Sequence, residues 1–85
     1  MITIKHYTAS WCMPCKQLKP IMQAIIQENP TIQYTVIDVD NDPIDAAKWG
    51  VRGVPTVIFM KNGVEANRIT GLVSKRNYEI AIENL

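Results

Sequence analysis

Cys12 and Cys15 are the only two cysteines of this 85-residue chain, and they stand three positions apart where a strand pattern gives way to a helix pattern. Residues i and i+3 of a helix share a face, with Cβ atoms roughly 5–6 Å apart. A disulfide needs them nearer, at about 3.5–4.5 Å. The looser first turn of a helix closes that gap, so the pair can open and close. The same position favours a thiolate on the first cysteine, because unpaired N–H groups and the helix dipole stabilise negative charge there. The pattern predicts Cys12 exposed at the helix N-terminus. The segment Trp11-Cys12-Met13-Pro14-Cys15-Lys16 thus points to thiol–disulfide exchange.

The rest of the chain builds a frame around that junction. Residues 2–8 alternate around Ile2, Ile4 and Tyr7 and read as a strand. Residues 12–29 carry Leu18, Ile21, Met22, Ile25 and Ile26 at the spacing of one apolar helix face. Pro14 suits the first turn, Pro20 should kink the helix, and Asn29-Pro30 ends it. Residues 32–39 form a second strand. Pro43 opens a short helix reaching about Trp49, and Gly50 stops it. Residues 56–60 are a continuous apolar run, as in a buried strand. Lys61-Asn62-Gly63 is a hairpin turn leading into a strand over 64–70. Ser74 caps a closing helix that places Tyr78, Ala81, Ile82 and Leu85 on one stripe. The order β-α-β-α-β-β-α predicts one α/β domain over residues 1–85. Its first two strands are parallel, its last two form an antiparallel hairpin, and helices cover both faces of a four-stranded mixed sheet.

Composition excludes several classes. A net charge of +1 argues against nucleic acid or an anionic membrane as partner. No apolar run approaches the ~20 residues that span a bilayer, and no signal peptide is visible. Two cysteines are too few for a secreted disulfide scaffold, so a cytoplasmic protein with reduced thiols is expected. Asp38, Asp40, Asp42 and Asp45 cluster in one stretch that reads as a solvated loop. A structural zinc site needs four ligands, and the chain offers Cys12, Cys15, His6 and scattered carboxylates, so no metal is expected.

Taken jointly, several segments resemble the thioredoxin family, in family order and across residues 4 to 85. They are Trp11 to Lys16, Pro20, Asp38-Val39-Asp40, Gly50-Val51-Arg52-Gly53-Val54-Pro55-Thr56, Lys61-Asn62-Gly63 and Gly71-Leu72-Val73-Ser74-Lys75. The resemblance implies a minimal thioredoxin fold of glutaredoxin-like size, without the extra N-terminal strand and helix. It also implies roles. Cys12 resembles the nucleophilic thiol and Cys15 the resolving one. Pro55 matches a cis-proline beside the disulfide, and Val54 the residue whose backbone pairs with a substrate strand. Trp11, Gly53, Gly71 and Leu72, with Met13 and Pro14 between the cysteines, resemble the substrate platform. Trp49 reads as packing. Lys16 and Lys19 either favour the thiolate or simply face solvent.

The chain departs from the family pattern in three places. Met13 stands where glycine is common. His6 and Val36 stand where the family usually has a buried aspartate and a lysine. His6 shares the parity of Ile2 and Ile4, so it should point inward beneath the helix that carries Cys15. It reads either as a core histidine with a satisfied hydrogen bond or as the proton acceptor for Cys15.

The implied function is reduction of protein disulfides by a monomer, with no bound cofactor. Recharging would come from an NADPH-dependent thioredoxin reductase. Two alternatives stand beside it. One is a glutaredoxin-type enzyme drawing on glutathione. The other is a non-catalytic module that docks a partner through its apolar surface.

Overall fold

Alternation along the first strand decides the layering. β1 (Ile2–Thr8) sends Ile4 and His6 to one face of the sheet and Tyr7 to the other. The computed structural model, which describes residues 1–85, continues with α1 (Met13–Glu28), β2 (Gln33–Asp38), α2 (Pro43–Lys48), β3 (Thr56–Lys61), β4 (Val64–Thr70) and α3 (Lys75–Glu83). The sheet order is β2-β1-β3-β4. β1 and β2 run parallel, and β3 is antiparallel to both β1 and β4. A parallel pair needs a crossover, and α1 supplies it.

The larger core lies on the Ile4 face. Leu18, Met22 and Ile25 of α1 meet Val57 and Phe59 of β3, with Tyr78 and Ala81 of α3 completing it. The opposite face is smaller: Tyr7, Ile37, Ile58 and Met60 pack under Ala46 of α2, flanked by Trp49. β3 is buried on both faces, which is why its sequence is an unbroken apolar run. At the β3–β4 turn Asn62 and Gly63 both take positive φ, 54° and 82°, the requirement of a two-residue primed hairpin turn. Gly50, at φ 66°, follows α2, where a left-handed residue releases the chain from the helix.

The acidic stretch is not merely a solvated loop. Asp42 caps α2 by accepting the Asp45 amide at 3.0 Å. Asp45 accepts the Tyr7 hydroxyl at 2.7 Å and Lys5 Nζ at 3.2 Å. Both donors come from β1, so these bonds anchor α2 to the sheet.

Candidate active site

Capping explains why the cysteines sit where they do. Cys12 is the N-cap residue of α1, in extended conformation, and its Sγ accepts the Cys15 amide at 3.2 Å. Pro14 occupies the first turn, where an N–H would have no helical partner. Cys12 and Cys15 are joined as a disulfide, with Cα atoms 5.3 Å apart. Cys12 is less exposed than its place at a helix start suggested: it is 5% exposed and Cys15 2%. Ala9, Val39 and Val54 pack around the two sulfurs, so the disulfide lies at the floor of a rim.

That rim comes from three loops. The Val54–Pro55 peptide bond is cis, and the Val54 carbonyl lies 3.7 Å from Cys12 Sγ. The Gly71 amide donates to the Pro55 carbonyl at 2.7 Å, which brings the Gly71-Leu72 loop beside the same turn. Thr56 Oγ1 donates to the Gly53 carbonyl at 2.6 Å and braces the turn from within. Trp11 is 69% exposed, and its indole N–H donates to Asp40 at 2.8 Å, which tethers the exposed ring. Met13 and Leu72 are also exposed, at 63% and 38%. Exposed apolar side chains on the loops around the disulfide point to a protein-binding surface.

An apolar hollow of about 130 Å³ lies between Trp11 and the Gly53-Val54 turn. Val39, Val51 and Arg52 complete its wall; the sequence placed them in matching segments but not on the substrate platform. Their membership of those segments, next to Asp40 and Gly53, was the available signal.

His6 points as its parity predicts, into the α1 face of the sheet, and is 1% exposed. Its Nδ1 lies 2.7 Å from the Tyr34 hydroxyl, and its Nε2 has no partner. Burial lowers its pKa to about 4. It is therefore neutral near pH 7 and a weaker base than the free imidazole considered from sequence. His6 and Cys15 line one cavity of about 210 Å³, together with Tyr34, Val36, Lys16 and Lys19. No cluster of three or more His, Cys, Asp or Glu side chains is placed to hold a metal.

Comparison with known proteins agrees with this geometry. The Thioredoxin family pattern matches residues 2–84. A thioredoxin of Chlamydia muridarum is 36% identical over 74 residues, spanning 87% of this chain and 72% of that protein. Thioredoxin H-type 1 of Nicotiana tabacum is 36% identical over 70 residues, spanning 82% of this chain and 56% of its own length. Among solved structures, Fasciola hepatica thioredoxin superposes with a TM-score of 0.91 at 30% identity, covering 98% of this chain and 79% of that one. Oxidised mitochondrial thioredoxin 3 of Saccharomyces cerevisiae gives 0.91 at 30% identity, covering 99% and 78%.

Proposed function

From the premise that this chain belongs to the thioredoxin family and is a thiol–disulfide oxidoreductase acting on protein disulfides, we propose that Cys12 is the attacking thiol and Cys15 the resolving one. The observation that carries this assignment is the placement of Cys12 Sγ. It accepts an N–H at a helix start while lying beneath an exposed apolar rim. An N–H aimed at a sulfur stabilises a thiolate there.

The reaction then runs in two exchanges. The Cys12 thiolate attacks one sulfur of a target disulfide, and the other target sulfur leaves as a thiolate and takes a proton. Cys15, as thiolate, attacks Cys12 Sγ. The Cys12–target bond breaks, and the second target sulfur leaves likewise. Two electrons have moved from the dithiol to the target, and Cys12–Cys15 is oxidised.

Trp11, Met13, Pro14, Gly53, Val54, Pro55, Gly71 and Leu72 form the docking surface in this reading. Main-chain pairing at Val54 would supply affinity with little dependence on target sequence. An NADPH-dependent thioredoxin reductase would return the protein to the dithiol. In this reading the protein works as a monomer in the cytoplasm, a compartment that keeps such a dithiol reduced.

A coupled assay tests the reading. NADPH consumption with thioredoxin reductase and a disulfide-bonded protein should depend on the wild-type chain and vanish in Cys12→Ser. Turnover supported by glutathione and its reductase, but not by thioredoxin reductase, would favour the glutaredoxin-type alternative.

A further inference from the structure

A buried ring nitrogen without a partner is uncommon, because most buried polar groups are paired. His6 Nε2 is such an atom in the disulfide state. The proton on that ring follows from its neighbour. Tyr34 makes one side-chain hydrogen bond, with His6 Nδ1 at 2.7 Å. Burial pushes the Tyr34 phenol up to about 12, so the hydroxyl keeps its proton near neutrality. A neutral imidazole has one N–H. If Tyr34 donates to Nδ1, that N–H is on Nε2, and one group is left unanswered. The opposite tautomer leaves the Nε2 lone pair unanswered and turns the Tyr34 O–H away from its one protein partner. With Tyr34 as the donor to Nδ1, Nε2 is a donor and not an acceptor.

The one sulfur on the cavity that His6 lines is that of Cys15. In the disulfide, Cys15 Sγ is bonded to Cys12, and such a sulfur is a weak acceptor. A thiolate is a strong one. Opening the disulfide frees Cys15 Sγ to rotate within the cavity it lines.

We propose that His6 Nε2–H is a donor reserved for the Cys15 sulfur, engaged only once the disulfide opens, so that His6 stabilises the Cys15 thiolate and draws the exchange equilibrium toward the dithiol. This rests on the reading of Cys12 and Cys15 as the exchanging pair. His6 is then a positioning residue that keeps its own proton. The Cys15 proton passes to solvent before resolution. The Cys15 electron pair forms the bond to Cys12, and the target sulfur leaves with the pair from the broken bond. Lys16 and Lys19 on α1 also favour a thiolate, and Asp38 at the end of β2 opposes one; all three line the cavity. Val57 and Val36, which register with His6 on β3 and β2, are apolar. Changing His6 alone isolates its share.

The test is the redox equilibrium of wild type, His6→Phe and Tyr34→Phe against a dithiothreitol redox buffer at pH 7, with ring ¹⁵N NMR of both redox states. His6→Phe should shift the equilibrium about tenfold toward the disulfide, a potential about 30 mV more negative. Tyr34→Phe should shift it the same way by less, because Nδ1 then competes for the proton. In wild type the Nε2–H tautomer should hold in both states, with the Nε2–H signal moving downfield on reduction. An unmoved equilibrium in His6→Phe, a shift toward the dithiol, an Nδ1–H tautomer, or ring signals blind to redox state would each overturn the proposal. If His6→Phe does not fold, Tyr34→Phe and the wild-type spectra decide. A wild type that fails to reduce protein disulfides would instead sink the underlying functional reading.

Discussion

The Tyr78 hydroxyl on α3 donates to the Gly71 carbonyl at 3.1 Å and accepts the Val73 amide at 3.2 Å, so one core residue holds both sides of the loop that presents Leu72. Tyr78 is fully buried. Tyr78→Phe keeps the ring and strands two backbone groups. A loss of about 1–3 kcal/mol in unfolding free energy is expected, the cost of leaving buried polar groups unmade. Urea denaturation with an unchanged m-value would report it. A variant as stable as wild type would mean that the loop is held by the Gly71–Pro55 bond alone.

Leu72→Glu tests docking apart from chemistry. It places a charge on the apolar rim without touching either cysteine. Reduction of a disulfide-bonded protein should fall about tenfold in kcat/KM, or roughly 1.4 kcal/mol of lost transition-state binding. A small aromatic disulfide, which needs no rim, should react at nearly the wild-type rate. Equal losses on the two substrates would place Leu72 in the chemistry.

Acid stability should carry the signature of His6. Its folded pKa of about 4 lies below the unfolded value of 6.5, so the unfolded chain binds more protons between the two. Stability therefore rises with pH across that window and is complete above about 6.5. Acidification from about 6.5 to about 4 should cost roughly 3 kcal/mol from this group. In His6→Phe that slope should be missing when denaturation is followed from pH 7 to 4. A slope as steep as wild type would mean that other groups produce it.

Asp45 makes a second acid-sensitive site. Its carboxyl is held below the usual carboxylate range, first by the Tyr7 hydroxyl and then, against desolvation, by Lys5. Its stabilisation is present above the unfolded pKa and lost as pH falls through the folded one. Asp45→Ala should destabilise the protein by about 1–3 kcal/mol, because the Tyr7 hydroxyl loses its acceptor inside the core. The double variant with Tyr7→Phe should recover part of that loss in calorimetry. Full additivity of the two changes would deny the coupling.

The order of strands and helices was legible because each rests on a local pattern. Alternation marks β1, the 3.6-residue stripe marks α1, and Asn62-Gly63 marks the hairpin. The inward direction of His6 followed from its parity with Ile4. The relationships that could not be read are side-chain pairings distant in the chain. Tyr34 meets His6 from 28 residues away, and Asp45 meets Tyr7 from 38. Neither pairing leaves a local signal, since β2 reads only as a strand and Asp45 only as one acid among four. The low exposure of Cys12 was also hidden. A helix start predicts access, and only the tertiary packing of Ala9, Val39 and Val54 removes it.

The most direct measurement is to trap the intermediate. A Cys15→Ser variant, reduced and mixed with a disulfide-bonded protein, has lost the group assigned to resolution. The account predicts that a mixed disulfide accumulates, linked through Cys12 by mass spectrometry of the digested adduct, while the wild type shows none at steady state. A Cys12→Ser variant should trap far less. Accumulation through Cys15 in Cys12→Ser with none in Cys15→Ser, or wild-type reductase activity in a Cys12→Ser/Cys15→Ser variant, would contradict it.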